Sequence, residues 1–212
     1  MADLEAHIET VLTAIGRTPR RDGRLLVGIA GPPGSGKSTL AREVVGRLAT
    51  SERIPPLAAL VPMDGFHLDN AELDARGLRA VKGAPETFDV KGFVDLVRRL
   101  RDARNDIRYP LFDRGEDRTL PDAGLFRAGT PIGVVEGNYL LLSEGDWRAL
   151  APLFDLTVMI APPTEVLEER LIRRWLDHGL DGDAAKRRAR GNDMTNARRV
   201  LECSEAADLV LS

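Results

Sequence analysis

One eight-residue string constrains the fold of this chain more than any other part of its sequence. The string Gly31-Pro-Pro-Gly-Ser-Gly-Lys-Ser38 follows an apolar run, Leu25–Ala30, and precedes a helical pattern. It has the G-x-x-x-x-G-K-S spacing of a phosphate-binding loop between a strand and a helix. A Gly/Pro/Ser string can also be a simple turn, but the strand on one side and the helix on the other favour the phosphate loop.

The residue types of this loop suit a nucleoside triphosphate. Glycines let successive backbone N–H groups turn inward into an anion-binding concavity, to which the next helix adds its positive dipole end. Lys37 is expected to reach the β- and γ-phosphates, and the hydroxyl of Ser38 is expected to hold Mg²⁺. The residues predicted to bind the nucleotide here are Gly31, Gly34, Ser35, Gly36, Lys37, Ser38 and Thr39.

Composition limits the domain count and the classes of partner. The chain has 212 residues, of which 43% are hydrophobic, and this predicts a single domain over residues 1–212. Its 30 Lys and Arg against 33 Asp and Glu argue against a nucleic-acid-coating surface. The single cysteine, Cys203, fits a reducing compartment, and no apolar stretch approaches the ~18 residues of a membrane span. We therefore expect a cytoplasmic protein that has no nucleic-acid partner and does not insert into a membrane. Whether it forms a homodimer is left open by the composition.

Short apolar strands alternate with helical patterns along the chain. The predicted core strands cover residues 24–30, 57–61, 132–135, 156–160 and 208–211. Helical patterns cover residues 4–15, the stretch after the phosphate loop to 49, a stretch from about 90, 164–178, 183–190 and 193–202. The alternation predicts an α/β fold with a mostly parallel five-stranded sheet covered on both faces. Ligands of such sheets bind beyond the carboxyl ends of the strands.

Acidic residues follow the second and third core strands. Asp64 could take the proton of a hydroxyl that attacks the γ-phosphate or help to bind the metal, or Asp64-Gly65 could be only a turn. Glu136 could hold Mg²⁺, contact the acceptor, share the role of base or cap the strand end. We predict Asp64 as a catalytic residue and Glu136 as a ligand of the metal or of the acceptor.

Two further segments carry candidate acceptor-binding side chains. Asp89 could face an acceptor hydroxyl or cap the next helix, and the two roles are compatible. The segment Tyr109–Arg114 brings together an aromatic ring, an acid and a base, either as a polar pocket or as an exposed hairpin with ion pairs. The residues predicted to bind the acceptor are His67, Asp89, Tyr109, Arg114, Glu136 and Tyr139.

Arginines are concentrated in the helical pattern after the fourth strand. Arg170, Arg173 and Arg174 share one helix face, and Gly179 interrupts the pattern before a second basic helix. This arrangement is typical of a lid, here at approximately 170–192, that brings arginines to a transferring phosphoryl group, although many arginine runs are only a solvated face. The residues predicted to act in this region are Arg173 and Arg174, as catalytic cations with Lys37, and Asn196, as a contact to the nucleotide base.

Four strings outside the phosphate loop resemble the uridine kinase / phosphoribulokinase / bacterial pantothenate kinase family of P-loop kinases. They are Pro62–Asn70, Lys82–Asp89, Tyr109–Arg114 and Val135–Leu142, and the likeness covers about residues 20–211. Within the family they are similar to a bacterial branch called nucleoside/nucleotide kinase-like or fructose-transport-system kinase.

The resemblance implies a three-layer α/β/α fold and ATP-dependent phosphorylation of a hydroxyl on a small molecule. It matches Asp64 to the catalytic acid of the family, Glu136 to its strand-end carboxylate and the arginines near 170–174 to its lid. Uridine kinases carry Ser-Phe-Tyr where this chain carries Gly65–His67, which argues against uridine itself as the acceptor. We predict a kinase for a sugar such as fructose or for a nucleoside. The alternative is a regulatory or transport-associated NTPase switch without an acceptor.

Overall fold

The protein is built from strands and helices that alternate along most of the chain. The computed structural model describes residues 2–20, 23–49 and 54–212. The strands are β1 (Leu25–Ala30), β2 (Ala58–Pro62), β3 (Ile107–Asp113), β4 (Arg118–Phe126), β5 (Ile132–Gly137), β6 (Leu156–Ile160) and β7 (Leu209–Leu211). The helices are α1 (Ala2–Arg17), α2 (Lys37–Leu48), α3 (Asn70–Ala75), α4 (Val90–Arg101), α5 (Thr164–Asp177), α6 (Gly182–Arg188) and α7 (Met194–Cys203).

Five of the strands form a parallel sheet in the order β2-β5-β1-β6-β7. The residues of β1 and β5 are all buried, as expected for strands covered on both faces. The register sets Ala30 opposite Gly137 and Pro62 opposite Glu136. The segments that leave β1, β2 and β5 therefore begin side by side at one edge of the sheet.

The two faces of the sheet carry separate apolar clusters. On one face Ile8 of α1 and Leu40 of α2 pack with Val27. On the other face Phe93 of α4 and Trp147 pack in one cluster with other strand residues. This arrangement of helices, sheet and helices confirms the predicted three-layer α/β/α fold, and the five parallel strands confirm the predicted sheet.

The strands β3 and β4 form a separate antiparallel hairpin. In the sequence, Ile107-Arg-Tyr before Pro110 predicts only a short strand at residues 107–109, and nothing predicts β4. β3 continues through Pro110 because the pairing shifts register between Tyr109 and Leu111, where a residue without an N–H is tolerated. The hairpin packs closely on Gly65, since a Cβ atom there would lie 2.0 Å from the carbonyl oxygen of Pro110.

The region predicted as a lid is helical throughout most of its length. α5 ends at Asp177, and Gly179 follows with a φ of +85°, which a glycine adopts without strain. α6 and α7 are joined by a π-helical turn, Ala189–Asp193, where the sequence predicted a break between two helices. Within the described ranges no helix combines the length and the apolar character needed to cross a membrane.

Candidate active site

The loop between β1 and α2 has the backbone shape of an anion cradle. Gly34 and Gly36 have φ angles of +80° and +94°, in the left-handed region that favours glycine. A Cβ atom on Gly31 would lie 2.6 Å from Oγ of Ser35 and 2.9 Å from the carbonyl oxygen of Ile160. The loop therefore requires glycine at these positions, as the phosphate-loop motif predicted, and it lies at the N-terminus of α2.

Lys37 brings a positive charge to the base of this cradle. Burial lowers the pKa of Lys37, and the negative charges of Glu136 and Asp64 act in the opposite direction. Its ammonium group makes no salt bridge to a carboxylate in the part of the chain that the structure describes. The charge is thus influenced by two acids without a direct ion pair to either, which suits the binding of a further anion.

Ser38 and Glu136 place two oxygen groups beside Lys37. The hydroxyl of Ser38 donates to Oε2 of Glu136 at 3.0 Å, and Glu136 is 5% exposed. Burial raises the pKa of Glu136, while Lys37 opposes that shift. Among residues 2–20, 23–49 and 54–212 no cluster of three His, Cys, Asp or Glu could cage a metal. An oxygen pair of this kind fits Mg²⁺, which keeps several waters and is held by few protein ligands together with phosphates.

Asp64 lies in the helical turn Met63–Phe66 directly after β2. Its Oδ2 accepts a hydrogen bond from Nη2 of Arg114 at 2.6 Å, and its side chain is 26% exposed. Burial alone would raise the pKa of Asp64, but the charges of Arg114, His67 and Lys37 outweigh it and hold the pKa below its usual value. The carboxylate is therefore ionised at neutral pH.

Arg114 reaches Asp64 from the turn of the β3–β4 hairpin. The two residues are 50 positions apart in sequence, and the Arg114 side chain is 60% exposed. The sequence named both residues as site candidates, and the structure brings them together as an ion pair. The segment thus forms a hairpin with an ion pair, and its role as a polar pocket for the acceptor stays a prediction.

We expect the Arg114→Gln substitution to move the acid limb of the pH–activity profile to higher pH. Arg114 is the strongest of the charges that lower the pKa of Asp64, so its loss raises that pKa and Asp64 is protonated earlier as the pH falls. The measurement is kcat/KM of the wild-type protein and of Arg114→Gln between about pH 4 and pH 8, a range that covers the titration of a carboxyl group. Arg118→Gln, on the same hairpin but paired with Glu116, should leave the limb in place. An unmoved limb in Arg114→Gln would contradict the prediction.

His67 supports the turn that carries Asp64. Its Nδ1 lies 2.8 Å from the backbone carbonyl oxygen of Asp64, and since a carbonyl only accepts, Nδ1 donates. The imidazole ring lies between the rings of Phe88 and Phe112, at centroid distances of 4.1 and 4.6 Å. Burial lowers the pKa of His67 despite the opposing charge of Asp64, so the ring is neutral at neutral pH. A contact between His67 and an acceptor stays a prediction.

The other predicted acceptor residues surround this turn in different ways. Asp89 caps α4, because its Oδ1 accepts from the backbone N–H of Gly92 at 3.0 Å. The buried hydroxyl of Tyr109 donates to the carbonyl of Leu60 at 2.8 Å, and burial raises the pKa of Tyr109 to about 12. Tyr139 is fully buried, and its hydroxyl donates to the carbonyl of Gly83 at 2.5 Å. These groups hold the surrounding backbone in this conformation, and their contact with an acceptor stays a prediction.

The arginines of α5 divide into different environments. Nη1 of Arg170 lies 3.3 Å from the carbonyl oxygens of both Gly34 and Ser35, so α5 is bound directly to the phosphate loop. Arg174 is half-buried, and burial followed by the charge of Arg114 lowers its pKa. Arg173 is exposed. The sequence placed the three on one helix face but did not reveal that Arg170 contacts the loop, which only the fold brings within reach.

The last predicted nucleotide contacts differ in exposure. Thr39, in the first turn of α2, is exposed, whereas Asn196 of α7 is buried. Nδ2 of Asn196 donates to Oδ1 of Asn192 at 3.3 Å. The prediction that Asn196 contacts a nucleotide base is not tested by this geometry and stays a prediction.

Comparison with known proteins identifies one family and several relatives. The family model described as "Phosphoribulokinase / Uridine kinase family" matches residues 26–211. An Escherichia coli protein, "Uncharacterized protein YggC", is 38% identical over 188 residues, 89% of this chain and 77% of that protein. A Schizosaccharomyces pombe protein named "Putative uridine kinase" is 35% identical over 197 residues, 89% of this chain and 83% of its own length.

A solved structure provides the corresponding three-dimensional comparison. It is the "putative fructose transport system kinase" of Silicibacter sp., with 42% sequence identity and a TM-score of 0.89. The match covers 97% of this chain and 98% of that one. The same arrangement of sheet and helices therefore occurs in a relative of equal extent.

Proposed function

Since the chain belongs to the phosphoribulokinase/uridine kinase family, we propose that it is an ATP-dependent kinase that transfers the γ-phosphoryl group to a hydroxyl of a small molecule. The observation that carries the proposal is that β1, β2 and β5 end side by side, so the phosphate loop, the turn of Asp64 and Glu136 lie at one edge of the sheet. The half-buried cation of Lys37 and the Ser38–Glu136 pair suit a triphosphate, and the ionised Asp64 lies within electrostatic reach of Lys37 and Glu136.

On the donor side, the phosphate loop and its helix bind the triphosphate of ATP. Backbone N–H groups and Lys37 neutralise the phosphate oxygens, and Arg174 adds a cation from α5. Mg²⁺ bound near Ser38 and Glu136 would neutralise charge on the β- and γ-oxygens. Arg170 binds the loop carbonyls rather than the phosphates, so its role is to hold α5 against the loop.

On the acceptor side, Asp64 orients the attacking hydroxyl. The hydroxyl oxygen forms a bond to the γ-phosphorus, its proton passes to a carboxylate oxygen of Asp64, and the bond from phosphorus to the leaving oxygen of ADP breaks. Arg114 occupies Oδ2 of Asp64, so the proton is taken by Oδ1 or after Arg114 has moved. The exposed guanidinium of Arg114 is then free to contact the incoming acceptor.

For the acceptor we propose a sugar such as fructose, or a nucleoside. Two relatives support these two classes: the 42% identical structure described as a fructose transport system kinase and the 35% identical protein named as a uridine kinase. His67, Asp89 and Tyr139 remain the proposed contacts or supports of the acceptor. The single free cysteine, Cys203, is consistent with the proposed cytoplasmic location.

The test is ADP release from Mg·ATP with and without a panel of sugars, nucleosides and pantothenate. We expect at least one compound to raise ADP release above the acceptor-free rate and to appear as its monophosphate, in equal amount, by mass spectrometry. The substitution Asp64→Asn should lower this stimulation by ~10²-fold or more. Hydrolysis that no compound stimulates would instead favour the alternative of an NTPase switch.

A further inference from the structure

Two side-chain hydrogen bonds join the lid region to residues 79–88, here called the acceptor-side segment. Nδ2 of Asn192 donates to the backbone carbonyl of Lys82 at 2.9 Å. Nη1 of Arg188 donates to the carbonyl of Ala80 at 3.3 Å. Both side chains are half-buried, but the bond of Asn192 is the shorter and the less exposed of the two, so it is the stronger candidate for a specific role.

At its other end the same helical region rests on the phosphate loop. Besides the bonds of Arg170 to that loop, the side chain of Leu171 lies so close that a Cβ atom on Gly34 would be 3.2 Å from its Cγ. Leu167 and Leu171 share an apolar cluster with residues of the π turn and of α7. The phosphate loop and Asn192 therefore contact one packed unit.

The π turn fixes the direction of the Asn192 side chain. π-helical turns are rare and occur frequently at functional positions. Here the turn is bound to α5, since Nε1 of Trp175 donates to Oδ2 of Asp193 at 2.5 Å. Oδ1 of Asn192 accepts from Asn196, which leaves Nδ2 directed at the carbonyl of Lys82.

The acceptor-side segment in turn contacts the β3–β4 hairpin and the turn that carries Asp64. Nζ of Lys82 donates to Oδ1 of Asp117 in the hairpin at 2.7 Å. Phe88, which ends the segment, pairs in a β-bridge with His67, the residue bonded to the carbonyl of Asp64. A continuous path of packed and hydrogen-bonded groups thus runs from the phosphate loop to the turn of Asp64.

We propose that Asn192 is a positioning residue that makes the order of the acceptor-side segment depend on nucleotide at the phosphate loop. The inference rests on the proposed function and deepens it. A nucleotide that orders α5 against the phosphate loop also orders the π turn, which is packed on α5. The hydrogen bond from Asn192 to the carbonyl of Lys82 then orders the acceptor-side segment. The acceptor side is then complete only when the donor is bound, which limits transfer of the phosphoryl group to water.

Hydrogen exchange measured by mass spectrometry tests this link without knowledge of the acceptor. Several amides of the segment are hydrogen-bonded, including those of Val81, Lys82 and Ala84, so their exchange reports its order. Without nucleotide, Asn192→Ala should raise exchange in residues 81–84 about fivefold, as expected for the loss of one hydrogen bond. With Mg²⁺ and a non-hydrolysable ATP analogue, hydrogen exchange in wild-type protein should slow in both the phosphate loop and the acceptor-side segment. In Asn192→Ala, exchange should slow only in the phosphate loop.

Matched variants separate this role from general destabilisation. Thr195→Ala removes a bond from Oγ1 to the carbonyl of Gly191 in the π turn, and in the described part of the chain Thr195 makes no side-chain hydrogen bond to the segment, so this variant should behave as wild type. Asn192→Asp keeps the size of the side chain but sets an oxygen against the carbonyl of Lys82, so it should repeat the effect of Asn192→Ala.

Two results are decisive, and they differ in what they overturn. Equal exchange of residues 81–84 in wild-type protein and both Asn192 variants, with or without the analogue, overturns the inference. Absence of protection at the phosphate loop in wild-type protein contradicts the proposed nucleotide site instead, and the nucleotide-free comparison then still decides whether Asn192 orders the segment.

Discussion

The substitution Asp64→Asn is expected to lower turnover by ~10²-fold or more, the usual contribution of a general base. The amide keeps the size of the carboxylate but cannot accept the hydroxyl proton at neutral pH. Binding of ATP should be largely kept, because the phosphate loop and Lys37 are unchanged. The measurements are kcat with the acceptor that the panel identifies and the affinity for a non-hydrolysable ATP analogue by titration calorimetry.

The matched control for this variant is Asp69→Asn. Asp69 follows Asp64 closely in the chain, is exposed and makes no side-chain capping bond. The same chemical change there should therefore leave turnover at the wild-type level. Asp64→Asn removes both the carboxylate and its ion pair with Arg114. The variant Arg114→Gln separates the two effects, because it breaks the same bond and keeps the carboxylate. Near-normal turnover of Asp64→Asn would remove Asp64 from the role of base.

The substitution Lys37→Ala is expected to reduce kcat/KM for ATP by about 10²- to 10³-fold, the range seen when one preorganised electrostatic group is removed. The charge of Lys37 opposes those of Glu136 and Asp64. Without it the two acids face the phosphates unopposed, so affinity for the ATP analogue should fall as well as turnover. Steady-state kinetics and calorimetry measure the two effects separately.

Arg47→Ala is a suitable control for Lys37→Ala. Arg47 lies on the same helix but forms a surface ion pair with Glu5 at 2.9 Å. Exposed pairs contribute about 0–1 kcal/mol, so this variant should bind and turn over ATP as the wild type does. Unchanged affinity for the analogue in Lys37→Ala would contradict the proposed position of the phosphates.

The elements that sequence predicted well are those whose signal is local. The apolar runs of β1, β5 and β6 and the glycines of the phosphate loop carry their own explanation, in burial on both faces and in positive φ angles. The capping of α4 by Asp89 is also local, since donor and acceptor are three residues apart. Each of these could be inferred from residue types and spacing alone.

The features that sequence did not reveal depend on distant contacts. β4 contains Pro121, Asp122 and Gly124, which are poor strand formers, and it becomes a strand through its pairing with β3. The bond of Arg170 to the phosphate loop joins residues 136 positions apart. No spacing rule within one helix or loop connects such groups, because their proximity is a property of the assembled sheet and helices.

The bond between the Tyr109 hydroxyl and the carbonyl of Leu60 also protects the protein against aggregation. β2 is an outer strand of the sheet, and its free backbone groups are a template on which another chain could add a strand. Tyr109 occupies one of these groups, and the hairpin that carries it stands against that edge. Detachment of the hairpin would thus free Asp64 from Arg114 and, at the same time, open the sheet to aggregation.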